Sequence, residues 1–72
     1  MSMPFVNVKV TGGNEAPTIE QKKQIIDGIT QLLVTVLNKN PATTIVIIDE
    51  VEMDNWGVAG KTTTERRLEA QK

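Results

Sequence analysis

Polar and apolar residues alternate through Phe5-Val6-Asn7-Val8-Lys9-Val10. That period places Val6, Val8 and Val10 on one face of a strand and Phe5, Asn7 and Lys9 on the other. Pro4 can lead such a strand, because a missing N–H costs nothing at the first position. Thr11-Gly12-Gly13-Asn14-Glu15-Ala16 has the composition of a loop. The period then changes. Pro17-Thr18-Ile19-Glu20-Gln21 is a helix start in which Thr18 and Gln21 can form a capping box. Ile25, Ile26, Ile29, Leu32, Leu33, Val36 and Leu37 follow as a wide apolar stripe, with Lys22, Lys23, Asp27, Thr30 and Gln31 largely off it. The helix should end near Asn38, since Asn40-Pro41 forbids continuation. Thr43-Thr44-Ile45-Val46-Ile47-Ile48 is apolar and β-branched without alternation, the pattern of a strand buried on both faces. Asn55-Trp56-Gly57-Val58-Ala59-Gly60 predicts a turn or short hairpin. The polar tail from Lys61 is expected either to pack against a neighbour or to fray.

A strand, a long helix and a second strand make a βαβ unit of the α/β (α+β) class, with parallel strands and a right-handed crossover. One helix covers one face of a two-stranded sheet and leaves the other, apolar at Ile45 or Val46, bare. Two strands alone are not independently stable, and 72 residues supply only a marginal core. Small proteins add disulfides, a metal or partner subunits. The chain has no cysteine and no histidine, which removes disulfides, thiolate sites and imidazole chemistry. The carboxylates Asp49, Glu50, Glu52 and Asp54 crowd near a strand end and read as solvated loop residues, so neither a metal nor a cofactor is expected. Oligomerisation is the remaining stabiliser.

Eight basic and nine acidic residues leave a net charge of −1, without the basic stripe of a nucleic-acid protein. The apolar run Thr44–Ile48 is far short of the ~20 residues of a membrane span. The N-terminus lacks a signal-peptide core, which gives a cytoplasmic expectation. Gly12-Gly13 is a turn and not a phosphate loop, for no Lys-Ser/Thr or dinucleotide spacing follows.

Met-Pro-Phe-Val-Asn-Val-Lys-Val from Met3, Thr-Ile-Glu-Gln-Lys-Lys from Thr18, Ile-Val-Ile-Ile-Asp-Glu from Ile45 and Asn-Trp-Gly-Val-Ala-Gly from Asn55 occur in that order. Together they resemble the 4-oxalocrotonate tautomerase family of the tautomerase superfamily, most closely its DmpI-type members, from Pro4 to about Arg67. The resemblance implies a single domain over residues 4–72, with residues 1–3 as a leader or processed segment. It also implies a βαβ subunit with a short C-terminal hairpin, in a homohexamer built as a trimer of dimers. The implied activity is cofactor-independent keto–enol tautomerisation of a small 2-hydroxydienoate, α-keto acid or enol, with an N-terminal proline as general base and acid.

Pro4 suits that role on physical grounds. A general base works best with a pKa near ambient pH; carboxylates are too acidic and lysines too basic, whereas a terminal amine starts nearer neutrality. Burial and nearby cations lower its pKa further. With Met3 attached, the same nitrogen is an amide and carries no basicity. The family's two substrate-binding arginines are missing: Gly13 or Asn14, in a longer loop, and Ile45 occupy their stations. The resemblance makes Lys39 the best replacement, since the branch of macrophage migration inhibitory factor carries an active-site lysine in a similar Gly-Lys-Pro-Pro stretch. The bland alternative is a solvated lysine at a helix C-terminus. Lys9, off strand one, ranks below it. Trp56 aligns with an aromatic that walls the family's pocket, and is equally suited to anchor an interface. A main-chain group near Thr11 is expected to assist. Arg66 and Arg67 match terminal arginines of the family but read as a charged, fraying tail. Two competing functions remain. Hydration or dehalogenation is disfavoured by the missing arginines, and a catalytically silent oligomeric module is required if Pro4 stays acylated.

Overall fold

The computed structural model describes residues 3–71; Met1 and Ser2 of the expected leader, and Lys72, lie outside the described residues. The elements are β1 (Phe5–Thr11), α1 (Ile19–Leu37), β2 (Ile45–Val51), the strand pair β3 (Gly57–Val58) and β4 (Lys61–Thr62), and α2 (Thr63–Ala70). β1 pairs with β2 and β3 with β4. The Ile45 amide donates to the Pro4 carbonyl at 3.0 Å and the Gly12 amide to the Val51 carbonyl at 2.8 Å. Partner numbers rise together, so β1 and β2 are parallel, with Phe5 beside Ile45 and Thr11 beside Val51.

The backbone divides into two compact units. The first joins the chain up to Val8 with Pro17–Asp49. Its helix starts as the sequence predicts: the Gln21 amide donates to Thr18 Oγ1 at 3.1 Å, and the Thr18 amide donates to Gln21 Oε1 at 2.8 Å. Asn38 ends the helix in the left-handed region, with φ of 54°. From there its amide reaches Val34 O at 3.0 Å and the Lys39 amide reaches Leu33 O at 3.4 Å, satisfying carbonyls that a helix end would otherwise orphan. Asn40 Oδ1 accepts from the Ala42 amide at 2.9 Å and fixes the turn into β2.

Burial departs from one expectation. Val46 and Ile48 are half-buried, but Ile45 and Ile47 are each 42% exposed. Strand β2 is therefore covered on one face only. Phe5, beside Ile45, is 60% exposed, so three large apolar side chains stand on an uncovered sheet surface. Among the described residues no apolar side chain is fully buried.

The second unit joins Lys9–Ala16 with the chain from Glu50 on. The expected hairpin is present, with Gly57 opposite Thr62 and Val58 opposite Lys61. Ala59 and Gly60 turn it with φ of 53° and 83°, the two positive values that a type I′ turn requires. The tail does not fray at its start. Helix α2 is capped by Thr62, whose Oγ1 accepts from the Glu65 amide at 3.1 Å while Glu65 Oε1 accepts from the Thr62 amide at 3.0 Å. It packs against β4 and the turn Met53–Asn55. The Thr-x-x-Glu signal for this helix was readable in the sequence. Asp49 and Glu50 belong to β2 and not to a loop.

Candidate active site

Pro4 and Lys39 belong to the first unit, and Thr11 and Trp56 to the second. Pro4 is half-buried, and its carbonyl is tied to β2 by the Ile45 amide. The sheet thus holds the ring from its C-terminal side and leaves the nitrogen to whatever precedes it. Lys39 is half-buried, directly after the left-handed Asn38. Its position is set by the bonds that close α1.

In the second unit Trp56 is half-buried and its backbone is fixed from both sides. Its amide donates to Met53 O at 3.4 Å, and its carbonyl accepts from the Thr63 amide at 2.8 Å and the Thr63 hydroxyl at 3.0 Å. Thr63, only 4% exposed, makes both of those bonds at the first turn of α2. Trp56 lines a pocket of about 270 Å³ together with Lys9, Val51, Asn55 and Gly57. Lys9, Asn55 and Trp56 therefore share the lining of one hollow. Alternation gave Lys9 a face of β1 but not its neighbours in this pocket.

Thr11 does not line the pocket. Its hydroxyl donates to Glu15 Oε1 at 2.8 Å, so any part it takes with substrate is through its main chain. Arg67 donates to the same carboxylate, from Nε to Oε2 at 2.7 Å and from Nη2 to Oε1 at 3.2 Å. The forked guanidinium matches the carboxylate geometry. Its hydrogen bonds, with that of Thr11, hold the Glu15 carboxyl down at about 2, and the pair raises Arg67 in turn. Arg67 is thus an anchored residue that ties α2 to the loop after β1. Nothing in the local sequence announces this pair, since 52 residues separate its members. Lys61 is engaged by Glu69, and Asp54 accepts from the Thr64 hydroxyl. Among the described residues no cluster of His, Cys, Asp or Glu is placed to hold a metal, and no helix is long and apolar enough to cross a membrane.

Comparison with known proteins places these features. The family model described as "Tautomerase enzyme" matches residues 4–66. "Probable tautomerase K2" of Dickeya dadantii (strain 3937) is 63% identical over 68 residues, covering 94% of this chain and 98% of that protein. The 2-hydroxymuconate tautomerase of Pseudomonas putida is 38% identical over 58 residues, 81% of this chain and 87% of the relative. Among solved structures, DmpI from Helicobacter pylori superposes with a TM-score of 0.82 at 48% identity, covering 90% of this chain and 97% of that one.

Proposed function

We propose that this chain, which belongs to the tautomerase family, works through the amine of Pro4, freed by removal of the residues before it. The protein is a keto–enol tautomerase of the 4-oxalocrotonate type. The observation that carries the Pro4 reading is that the family match opens on Pro4 itself, leaving Met1–Met3 outside it. A second support is the strand bond at the Pro4 carbonyl, which orients a rigid secondary amine without engaging its nitrogen.

The reaction needs one proton and no cofactor. The amine lone pair takes the hydroxyl proton of a 2-hydroxydienoate or arylpyruvate enol. The O–H electrons fold into a carbonyl, and the conjugated chain becomes nucleophilic at carbon. The prolinium then returns the proton to that carbon, so atoms balance. Lys39 supplies positive charge that lowers the prolinium pKa and stabilises the developing oxyanion. In the second unit, Trp56 supplies an aromatic wall and the main chain near Thr11 a polar group. The substrate is a small keto or enol acid bearing one carboxylate. The working form is a homohexamer, a trimer of dimers with sites between subunits. The uncovered Phe5, Ile45 and Ile47 support assembly, and the hexamer is what the family resemblance implies.

The test compares a chain that begins at Pro4 with one that retains Met3, following decay of 2-hydroxy-2,4-pentadienoate and phenylenolpyruvate by ultraviolet absorbance. The Pro4 form turns over, the Met3 form does not, and Pro4→Ala loses ~100-fold or more, the lower end of what a general base contributes. Equal rates from the two forms would sink the mechanism. An intact mass that retains Met3 in protein made from its own gene would favour a catalytically silent oligomeric module instead.

A further inference from the structure

We propose that Lys9 replaces the family's missing arginine, binding the single carboxylate of a small planar acid whose conjugated chain lies against Trp56. The inference rests on the tautomerase reading above and deepens it by assigning the group that selects the substrate's charge. Sequence comparison alone pointed to Lys39, which follows the end of α1. The structure instead places Lys9 on the same pocket as the indole.

The described cations of the second unit are Lys9, Lys61, Arg66 and Arg67. Neither Lys61 nor Arg67 lines the pocket. Arg66 lies on α2 and does not line the pocket. Lys9 does line it. An ammonium carries three donors, so an interaction within the protein leaves donors for a ligand carboxylate. The Trp56 backbone is held by the two Thr63 bonds and the Met53 bond. Gly57 presents no side chain, and Asn55 adds a neutral amide that can donate to the carboxylate or accept from an enol hydroxyl. At about 270 Å³ the pocket has room for a six-carbon acid but falls short of the usual size for drug-like ligands.

Trp56 is the only tryptophan and the chain has no tyrosine, so intrinsic emission reports on this pocket alone. The full chain is titrated at low ionic strength with sorbate, a planar dienoate that lacks the enol hydroxyl, and with its neutral amide. Sorbate quenches Trp56 and the amide binds at least ~10-fold more weakly, a difference of about 1.4 kcal/mol. Lys9→Met raises the sorbate Kd ~10-fold or more and leaves the amide unchanged, Lys9→Arg restores sorbate binding, and Lys23→Met behaves as the parent. Circular dichroism and native mass confirm that each variant is folded and assembled. An unchanged sorbate Kd in Lys9→Met, equal binding of acid and amide, or no quenching by sorbate at all would overturn the assignment. Failure of the two readings is distinguishable. If sorbate binding depends on Lys9 while a free Pro4 amine turns over no enol, the tautomerase mechanism falls and the acid site stands. If turnover is intact and kcat/KM is unmoved by Lys9→Met, the mechanism stands and Lys9 leaves it.

Discussion

Ile47 is the most direct probe of whether the uncovered sheet face is an interface. Fully burying an isoleucine is worth about 1.5–3 kcal/mol. Ile47 keeps 42% of its surface exposed in the single chain, so assembly has roughly 1 kcal/mol still to gain from it in each subunit. Ile47→Asp removes that gain and also places a carboxylate in an apolar contact, where an unpaired buried charge costs about 3 kcal/mol or more. The sum of about 4 kcal/mol per contact weakens association ~1000-fold. Sedimentation velocity at micromolar protein therefore shows Ile47→Asp as smaller species, with a denaturation midpoint that no longer rises with concentration. Ile47→Val, which costs about 0.5–1.5 kcal/mol, keeps the parent mass and serves as the control. The prediction separates assembly from folding, because a charge on a surface already exposed in the monomer does little to the monomer itself. If Ile47→Asp sediments as the parent does and unfolds at the same denaturant concentration, Phe5, Ile45 and Ile47 cover nothing. The proposed assembly must then be built on other surfaces.

Two further changes follow from the second unit. Ala59 holds a left-handed backbone at φ of 53°, which costs a residue with a Cβ about 1 kcal/mol. After the larger unfolded-state entropy of glycine is subtracted, Ala59→Gly stabilises by about 0.5 kcal/mol, read as a higher urea midpoint with unchanged slope; a lower midpoint refutes the turn assignment. For Glu15 the sign follows from a folded pKa of about 2, depressed below its ordinary value of 4.5 by Arg67 and Thr11. The depressed carboxyl contributes stability that is fully present above pH 4.5 and is lost as pH falls toward 2. The parent therefore loses stability across that window more steeply than Glu15→Gln, and parallel acid profiles would show that the pair does not couple to folding.

What the sequence disclosed and what it hid have a common physical basis. The capping box at Thr18, the helix end that Asn40-Pro41 imposes near Asn38 and the alternation of β1 are local, decided by residues within one or two turns. They were legible because few neighbours matter. The bare sheet face was legible too, by counting covers: one helix cannot hide both sides of two strands. The pattern misled at β2, where an unbroken apolar run reads as burial on both faces although Ile45 and Ile47 stay exposed within the chain. The proposed assembly would cover the face that the single chain leaves bare. Helix α2 carried a readable signal at Thr62 and Glu65 that a polar composition masked. The Glu15–Arg67 pair and the Lys9–Trp56 pocket were hidden for another reason. Each joins residues far apart in sequence, and no periodicity specifies which distant side chains will meet.

That last point bears on substrate charge. Arg67 is held by Glu15, and the cation lining the second unit's pocket is Lys9. On the proposed assignment of Lys9, the pocket lined by Lys9, Asn55 and Trp56 is expected to favour a monoacid over a dicarboxylate, and a dicarboxylate that quenches Trp56 as tightly as sorbate does would refute that expectation.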